Sequence, residues 1–278
     1  MNSMTKILAG KGLETELATV IAEAGAKGKG TISYLVTVLD ESGELRCVAS
    51  QQEETVHASA SMIKVLILAA VLRGVTEEQL QLDSLVPLAA APRVLGGGAL
   101  QELNGSHKFT ILELCRLMIV LSDNWATNLL IRTIGMTYIN ETAKLYGLKN
   151  TELKRYMMDT AAQARGEENT TTALDLTRLY AKLYELREDS IYGHELWQIL
   201  GRQQFRDKIP FHWGEEVPFF HKTGCLDRVE HDGGILPLLT GTFGIVILIS
   251  DMANDEAIPL EAAMGRTIKT FLEDKLPL

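Results

Sequence analysis

Apolar residues recur every three or four positions from Leu13 to Ala24 and stop at Gly25, which predicts a helix closed by a glycine. Thr31–Leu39 then becomes rich in β-formers. Asp40-Glu41-Ser42-Gly43-Glu44 is turn chemistry and Leu45–Ala49 resumes the strand character, so a hairpin is expected. From Ser61 the period is helical for well over a hundred residues. The stretches concerned are Ser61–Leu72, Thr110–Leu121, Trp125–Ile134, Tyr138–Tyr146, Thr171–Leu186 and Gly193–Leu200. Strand character returns at Val217–His221, Gly233–Leu239 and Phe243–Ile249, and Pro259–Leu272 reads as a closing amphipathic helix. Strands at both ends most simply form one antiparallel sheet, flanked by the first and last helices, with the helical middle inserted as a lobe of its own. The expected class is α/β (α+β). Residues 1–52 and 210–278 would make a discontinuous α/β lobe, and 53–209 an all-helical one.

Composition narrows the classes of function. The 278 residues are 46% hydrophobic and 23% charged, which suits a folded chain with a full core. The net charge of −9 leaves no basic surplus for nucleic acid or an anionic membrane. Cys47, Cys115 and Cys225 lack a disulfide framework spacing and read as free thiols, and the six histidines form no metal signature. No cofactor or metal is therefore expected. The apolar run Ile7-Leu8-Ala9 is too short for a signal peptide core, and Val65–Leu72 is too short to span a bilayer. The expectation is a chain without a membrane segment, cytoplasmic unless an export signal was removed. Gly96-Gly97-Gly98 has no Lys-Ser or Lys-Thr after it and reads as a flexible loop rather than a phosphate cradle.

Three short motifs carry the chemistry: Ser61-Met62-Ile63-Lys64, Ser122-Asp123-Asn124 and Lys222-Thr223-Gly224. A Ser-x-x-Lys arises about once by chance in a chain this long, and each of the others in roughly one such chain in twenty. Their joint occurrence, in this order, is what counts. Ser61 and Lys64, at i and i+3, share one face of a helix's first turn. A serine nucleophile needs a base within reach, and a lysine serves only with a lowered pKa; burial and a second cation, for which Lys222 is the candidate, both lower it. The following residues, Val65–Leu72, are apolar all round, which marks a helix buried on every side and makes a lysine at its head costly. Ser122-Asp123-Asn124 lies between two helices and also suits a helix cap. Lys222-Thr223-Gly224 ends a strand and also suits a plain strand edge with a glycine turn. On the functional reading Gly224 lets a substrate approach the backbone, and the Cys225 N–H joins that of Ser61 in an oxyanion hole.

With these motifs the chain resembles the penicillin-recognising serine enzymes, and within them the class A β-lactamases. The order of hairpin, Ser-x-x-Lys helix, Ser-Asp-Asn loop, late Lys-Thr-Gly strand and closing helix spans nearly its whole length. Ser122–Leu130 and the Thr170-Thr171-Thr172-Ala173 stretch add to the match. The resemblance implies Ser61 as acylated nucleophile, Lys64 as its base and Ser122 as proton relay to the leaving nitrogen. It implies Asn124 as binder of the substrate's side-chain amide and Lys222 with Thr223 as holders of its carboxylate. The partner would be a small β-lactam or peptide-like molecule, met by a monomer at the junction of the two lobes. One part departs. Class A enzymes carry a deacylating glutamate in an Arg-x-Glu-x-x-Leu-Asn loop; if Arg155 matches that arginine, Met157 stands in the glutamate's place. Asp159, Glu167 or Glu168 either substitute for it or are solvated loop charges. The expected function is a serine hydrolase that acylates readily and deacylates slowly or by an unusual base. The alternatives are a DD-peptidase or esterase of the same superfamily, or a penicillin-binding protein without turnover.

Overall fold

The computed structural model describes residues 10–40 and 44–274. The first nine residues, with the expected absence of a signal peptide, and the tip of the expected hairpin turn at 41–43 lie outside them. The elements begin with α1 (Gly10–Glu23), β1 (Thr31–Leu39), β2 (Leu45–Gln51), β3 (His57–Ala58), α2 (Ile63–Thr76), β4 (Leu85–Pro87) and β5 (Lys108–Thr110). They continue through α3 (Ile111–Val120), α4 (Asn124–Ile134), α5 (Met136–Leu145), α6 (Thr160–Ala164), β6 (Thr170–Thr171), α7 (Ala173–Leu186) and α8 (Ile191–Leu200). The chain closes with β7 (Phe220–Leu226), β8 (Val229–Leu238), β9 (Gly241–Ser250) and α9 (Asn254–Asp274). Five strands form one antiparallel sheet in the order β2-β1-β9-β8-β7, as the α+β expectation requires.

Period-two alternation sorts the sheet's side chains between two cores. Val36, Ile245 and Ile247 pack with Leu13, Leu17 and Ile268 under α1 and α9. Leu35, Val246 and Leu248 face the other way, into a core built around α2. Because both faces are covered, β1 and β9 are buried almost end to end and read as continuous apolar runs. Every residue of α2 from Ile63 to Leu72 is buried, as its all-round apolar character demands.

Several boundaries differ from the sequence reading. Ser61 lies in a 3₁₀ turn, Ala60–Met62, that runs into α2, and is not the first α-helical residue. The strand expected at Val217–His221 forms instead at Phe220–Leu226, because Pro218 has no N–H to give a ladder and Val217 turns back to Gly214 O. Lys222-Thr223-Gly224 thus lies within a strand, though still on the sheet's edge. Strand β8 starts four residues before Gly233, since Glu230, His231 and Asp232 are buried with partners and their polarity disguises them. Thr170–Thr171 pairs with His57–Ala58, and Thr172 caps α7 by accepting from Asp175 N. No helix among the described residues is long and apolar enough to cross a membrane.

Candidate active site

Ser61 sits where the core around α2 meets the edge strand β7. Ala60 holds φ +46 and Met62 N donates to Ser59 O, which turns the chain sharply into α2. That turn packs on Gly224: a Cβ there would lie 3.1 Å from Ala60 Cβ and 3.3 Å from Ser61 N. Gly224 therefore admits the nucleophile's own turn, not only a substrate as the sequence suggested.

Lys64, one helical turn on, is fully buried, and its three N–H bonds all go to the Ser122-Asp123-Asn124 segment. Nζ donates to Ser122 O at 2.7 Å, to Asn124 Oδ1 at 2.9 Å and to Ser122 Oγ at 3.0 Å. Lys222, also fully buried, reaches the same hydroxyl from β7, donating to Ser122 Oγ at 3.1 Å and to Thr223 O at 2.7 Å. Ser122 Oγ thus accepts from two lysines, filling both lone pairs and leaving its own proton to be given elsewhere. Ser122 has φ +52, a left-handed conformation that costs a non-glycine residue about 1–3 kcal/mol. The flanking bonds hold it there. Asp123 N donates to Leu117 O, and Asp123 Oδ1 caps α4 by accepting from Ala126 N at 2.9 Å. The capping and the chemical readings of this motif hold together, on neighbouring residues.

Burial lowers the Lys64 pKa to about 7, against the opposing pull of Asp123. Lys222 is pushed well below the ordinary lysine value by burial first, then by the charges of Lys64 and Lys208, with Asp232 opposing. Sequence reasoning placed the repulsion between the two lysines on Lys64; it falls on Lys222, and burial governs Lys64.

A cavity of about 280 Å³ opens in front of this group, lined among others by Ser61, Ser122, Asn124, Cys225, Met157 and Phe205. Lys64 and Lys222 stand behind its wall, and Thr223 and Gly224 are not among its lining residues. Thr223 pleats away from Lys222, with Asp232 opposite it on β8. A second wall comes from residues 151–169. Arg155 is buried and donates from Nε and Nη2 to Glu168 Oε1 at 3.0 and 2.7 Å. Asn169 Oδ1 accepts from the backbone N–H groups of Lys154 and Arg155. Met157 is presented to the cavity by Asn128, whose amide exchanges two hydrogen bonds with the Met157 backbone at 2.8 and 3.1 Å. The candidate substitute acids are occupied elsewhere: Asp159 caps α6, Glu167 pairs with Arg165 at the surface, and Glu168 holds Arg155 and Gln163. None of the three lines the cavity.

Sequence reasoning missed Asn128, Asn169, Met158 and the glycine triplet as parts of the site. Asn128 lies four residues after Asn124 on α4, a same-face spacing that could have exposed it. Gly96-Gly97-Gly98 is a wall rather than a free loop. Asn124 N donates to Gly97 O, Leu100 N donates to Asp123 Oδ2, and a side chain at Gly98 would overlap Asp123. A larger depression of about 860 Å³ beside Val75 and Tyr192 holds no nucleophile–base pair. Among the described residues no His, Cys, Asp and Glu cluster could hold a metal ion.

Comparison with known proteins places the chain. The sequence profile of the β-lactamase enzyme family matches residues 12–272. A comparison with curated proteins gave no match. Among solved structures, a β-lactamase from Sphaerobacter thermophilus is similar at 26% identity, with a TM-score of 0.81 over 93% of this chain and 97% of that one. A leucine-to-glutamate mutant of PBP-A, solved as its acyl-enzyme complex with penicillin G, shares the fold at 24% identity; its TM-score is 0.82, over 98% and 99% of the two chains. The TLA-3 extended-spectrum β-lactamase shares it at 18% identity, with a TM-score of 0.84 over 95% and 99%. With a match that runs from α1 to α9, the chain belongs to the β-lactamase enzyme family.

Proposed function

We propose that the protein is a β-lactamase-like serine hydrolase that is acylated at Ser61 and released slowly from the acyl state. The observation that carries this reading is the single hydroxyl of Ser122 shared by the ammonium groups of Lys64 and Lys222. In acylation, neutral Lys64 takes the Ser61 proton while Oγ forms a bond to the lactam or amide carbonyl carbon. Charge on the carbonyl oxygen is met by the N–H groups of Ser61 and Cys225. The carbon–nitrogen bond then breaks as Ser122 gives its proton to the nitrogen and is refilled from the lysine that took the first. Asn124 binds the side-chain amide of the substrate, and Lys222 with Thr223 its carboxylate.

Deacylation requires a water that is held and deprotonated, and a thioether accepts no proton at neutral pH. Met157 on the cavity wall, with Asp159, Glu167 and Glu168 engaged elsewhere, supports a long-lived ester. The same observation favours a second reading, a penicillin-binding protein for which the acyl-enzyme is the end state. The acyl-enzyme of the PBP-A mutant supports penicillin as a probe. Intact-protein mass spectrometry over time after mixing with penicillin G tests the proposal. One adduct per chain should form quickly, persist, and be missing from Ser61→Ala. An adduct that survives Ser61→Ala would overturn it, and rapid turnover with no trapped adduct would remove the slow-release part.

A further inference from the structure

Lys208 lies in the turns between α8 and β7, is almost wholly buried, and touches no part of the cavity. A buried ammonium is costly unless every N–H finds a partner, and here each does. Nζ lies 2.5 Å from Glu230 Oε2 and donates to Gly224 O at 2.7 Å and to His231 O at 3.1 Å. Gly224 and His231 face one another across β7 and β8. The oxygen it grips most closely on β7 belongs to the Gly224–Cys225 peptide. Glu230 holds the same peptide from its other end, accepting from Cys225 Sγ at 3.1 Å and from Asn254 Nδ2 at 2.6 Å on Oε1. Burial alone would lower the pKa of Lys208, and the carboxyls of Glu261 and Glu230 outweigh it, so the group stays cationic.

We propose that Lys208, braced by Glu230, is a positioning residue for the oxyanion hole: it fixes the Gly224 carbonyl and thereby aims the Cys225 N–H. This rests on the reading in which Cys225 and Ser61 donate to the substrate oxygen. In a planar trans peptide the C=O and N–H point in opposite directions, so anchoring the oxygen fixes the line of the N–H. A cation on the oxygen also polarises the amide and strengthens the bond its N–H gives. Gly224 against Ser61 N brings the second donor alongside. A lysine that served only packing would do neither.

The test uses penicillin G labelled with ¹³C at the lactam carbonyl, read by the acylation rate and by the infrared band of the acyl ester. Lys208→Met combined with Glu230→Gln removes both charges together, so that neither is left buried alone. Deleting one oxyanion donor outright costs about 10²–10³ in rate, so mis-aiming it should cost about tenfold or more. Noncovalent binding should be little changed, and the ester band should move to higher wavenumber as its hydrogen bond weakens. If the double variant does not fold, Glu230→Gln alone, which keeps Lys208 but frees it, should give a smaller shift in the same direction. An unshifted band with an unaltered acylation rate overturns the proposal. Absence of any Ser61 adduct in the unaltered protein would instead remove the underlying reading, and this inference with it.

Discussion

At the scale of single residues, the two lysines behind Ser122 divide the work by their surroundings. A base is useful when its pKa lies near the working pH, and burial brings Lys64 to about 7. Because that value is lowered from the ordinary one, the ammonium loses its proton as pH rises through 7. The acylation rate constant should therefore climb across that range and level off above it. Lys64→Arg keeps the charge but gives up no proton, so it should cost about 10²–10⁴ in rate and flatten the rise. A stopped-flow pH profile checks both, and a rate constant flat from pH 6 to 8 in the unaltered protein would exclude Lys64 as the base. Lys222, pushed lower still, lacks a carboxylate partner of its own; a substrate carboxylate would supply one and restore its proton. Binding of penicillin G to Ser61→Ala should accordingly take up protons, read by calorimetry in buffers of different ionisation enthalpy. Binding without uptake would show that Lys222 stays charged when the site is empty.

The loop of residues 151–169 sets what happens after acylation, and it is held as one piece by Arg155, Asn169 and, from α4, Asn128. Arg155→Met would leave Glu168 without its main partner and should cost about 1–3 kcal/mol, read as a fall in Cm without a change in m. Met157→Glu would put a carboxylate on the cavity wall, on a backbone already fixed by Asn128. It should speed ester release by about 10²–10⁴ and leave acylation nearly unchanged. An adduct just as long-lived in that variant would show that water, not the base, is missing. How far this was legible from sequence differs by kind of interaction. The helices and central strands follow from apolar periodicity, and the three motifs were legible because each is contiguous. What stayed hidden depends on long-range pairing. The Asn128–Met157 clamp spans 29 residues, the Arg155–Glu168 pair 13, and the Lys208–Gly224 bond 16. Strand β8 was clipped because the buried Glu230, His231 and Asp232 look like surface residues until their partners are known. Gly96-Gly97-Gly98 looked flexible because nothing in its own sequence records the packing of Asp123 and Asn124 against it.

For the molecule as a whole, the site is a seam between two cores. Ser61 and Lys64 ride on the helix at the centre of one core, and Lys222 rides on the edge of the sheet that separates them, so acylation chemistry depends on how the sheet is seated. Beneath the sheet on the α9 side lies a buried group of charges: Lys208, Glu230, Asp232 and His221, whose Nδ1 is 2.8 Å from Asp232 Oδ1. Glu261 on α9 is fully buried beside them, and neither of its carboxyl oxygens makes a hydrogen bond. Burial raises its pKa well above the ordinary 4.5, against the pull of Lys208. A carboxyl that holds its proton more tightly folded than unfolded stabilises most below the unfolded pKa, and that contribution is lost as pH rises towards the folded value. Stability should therefore fall as pH rises from about 4.5 towards neutrality. Glu261→Gln keeps the shape of the neutral acid and has nothing to ionise, so it should be close to neutral at pH 4.5 and stabilising at pH 7. Thermal melts of both proteins across that window check the sign: if the two curves stay parallel from pH 4.5 to 7, Glu261 is ionised in the fold and Lys208 has two anionic partners rather than one.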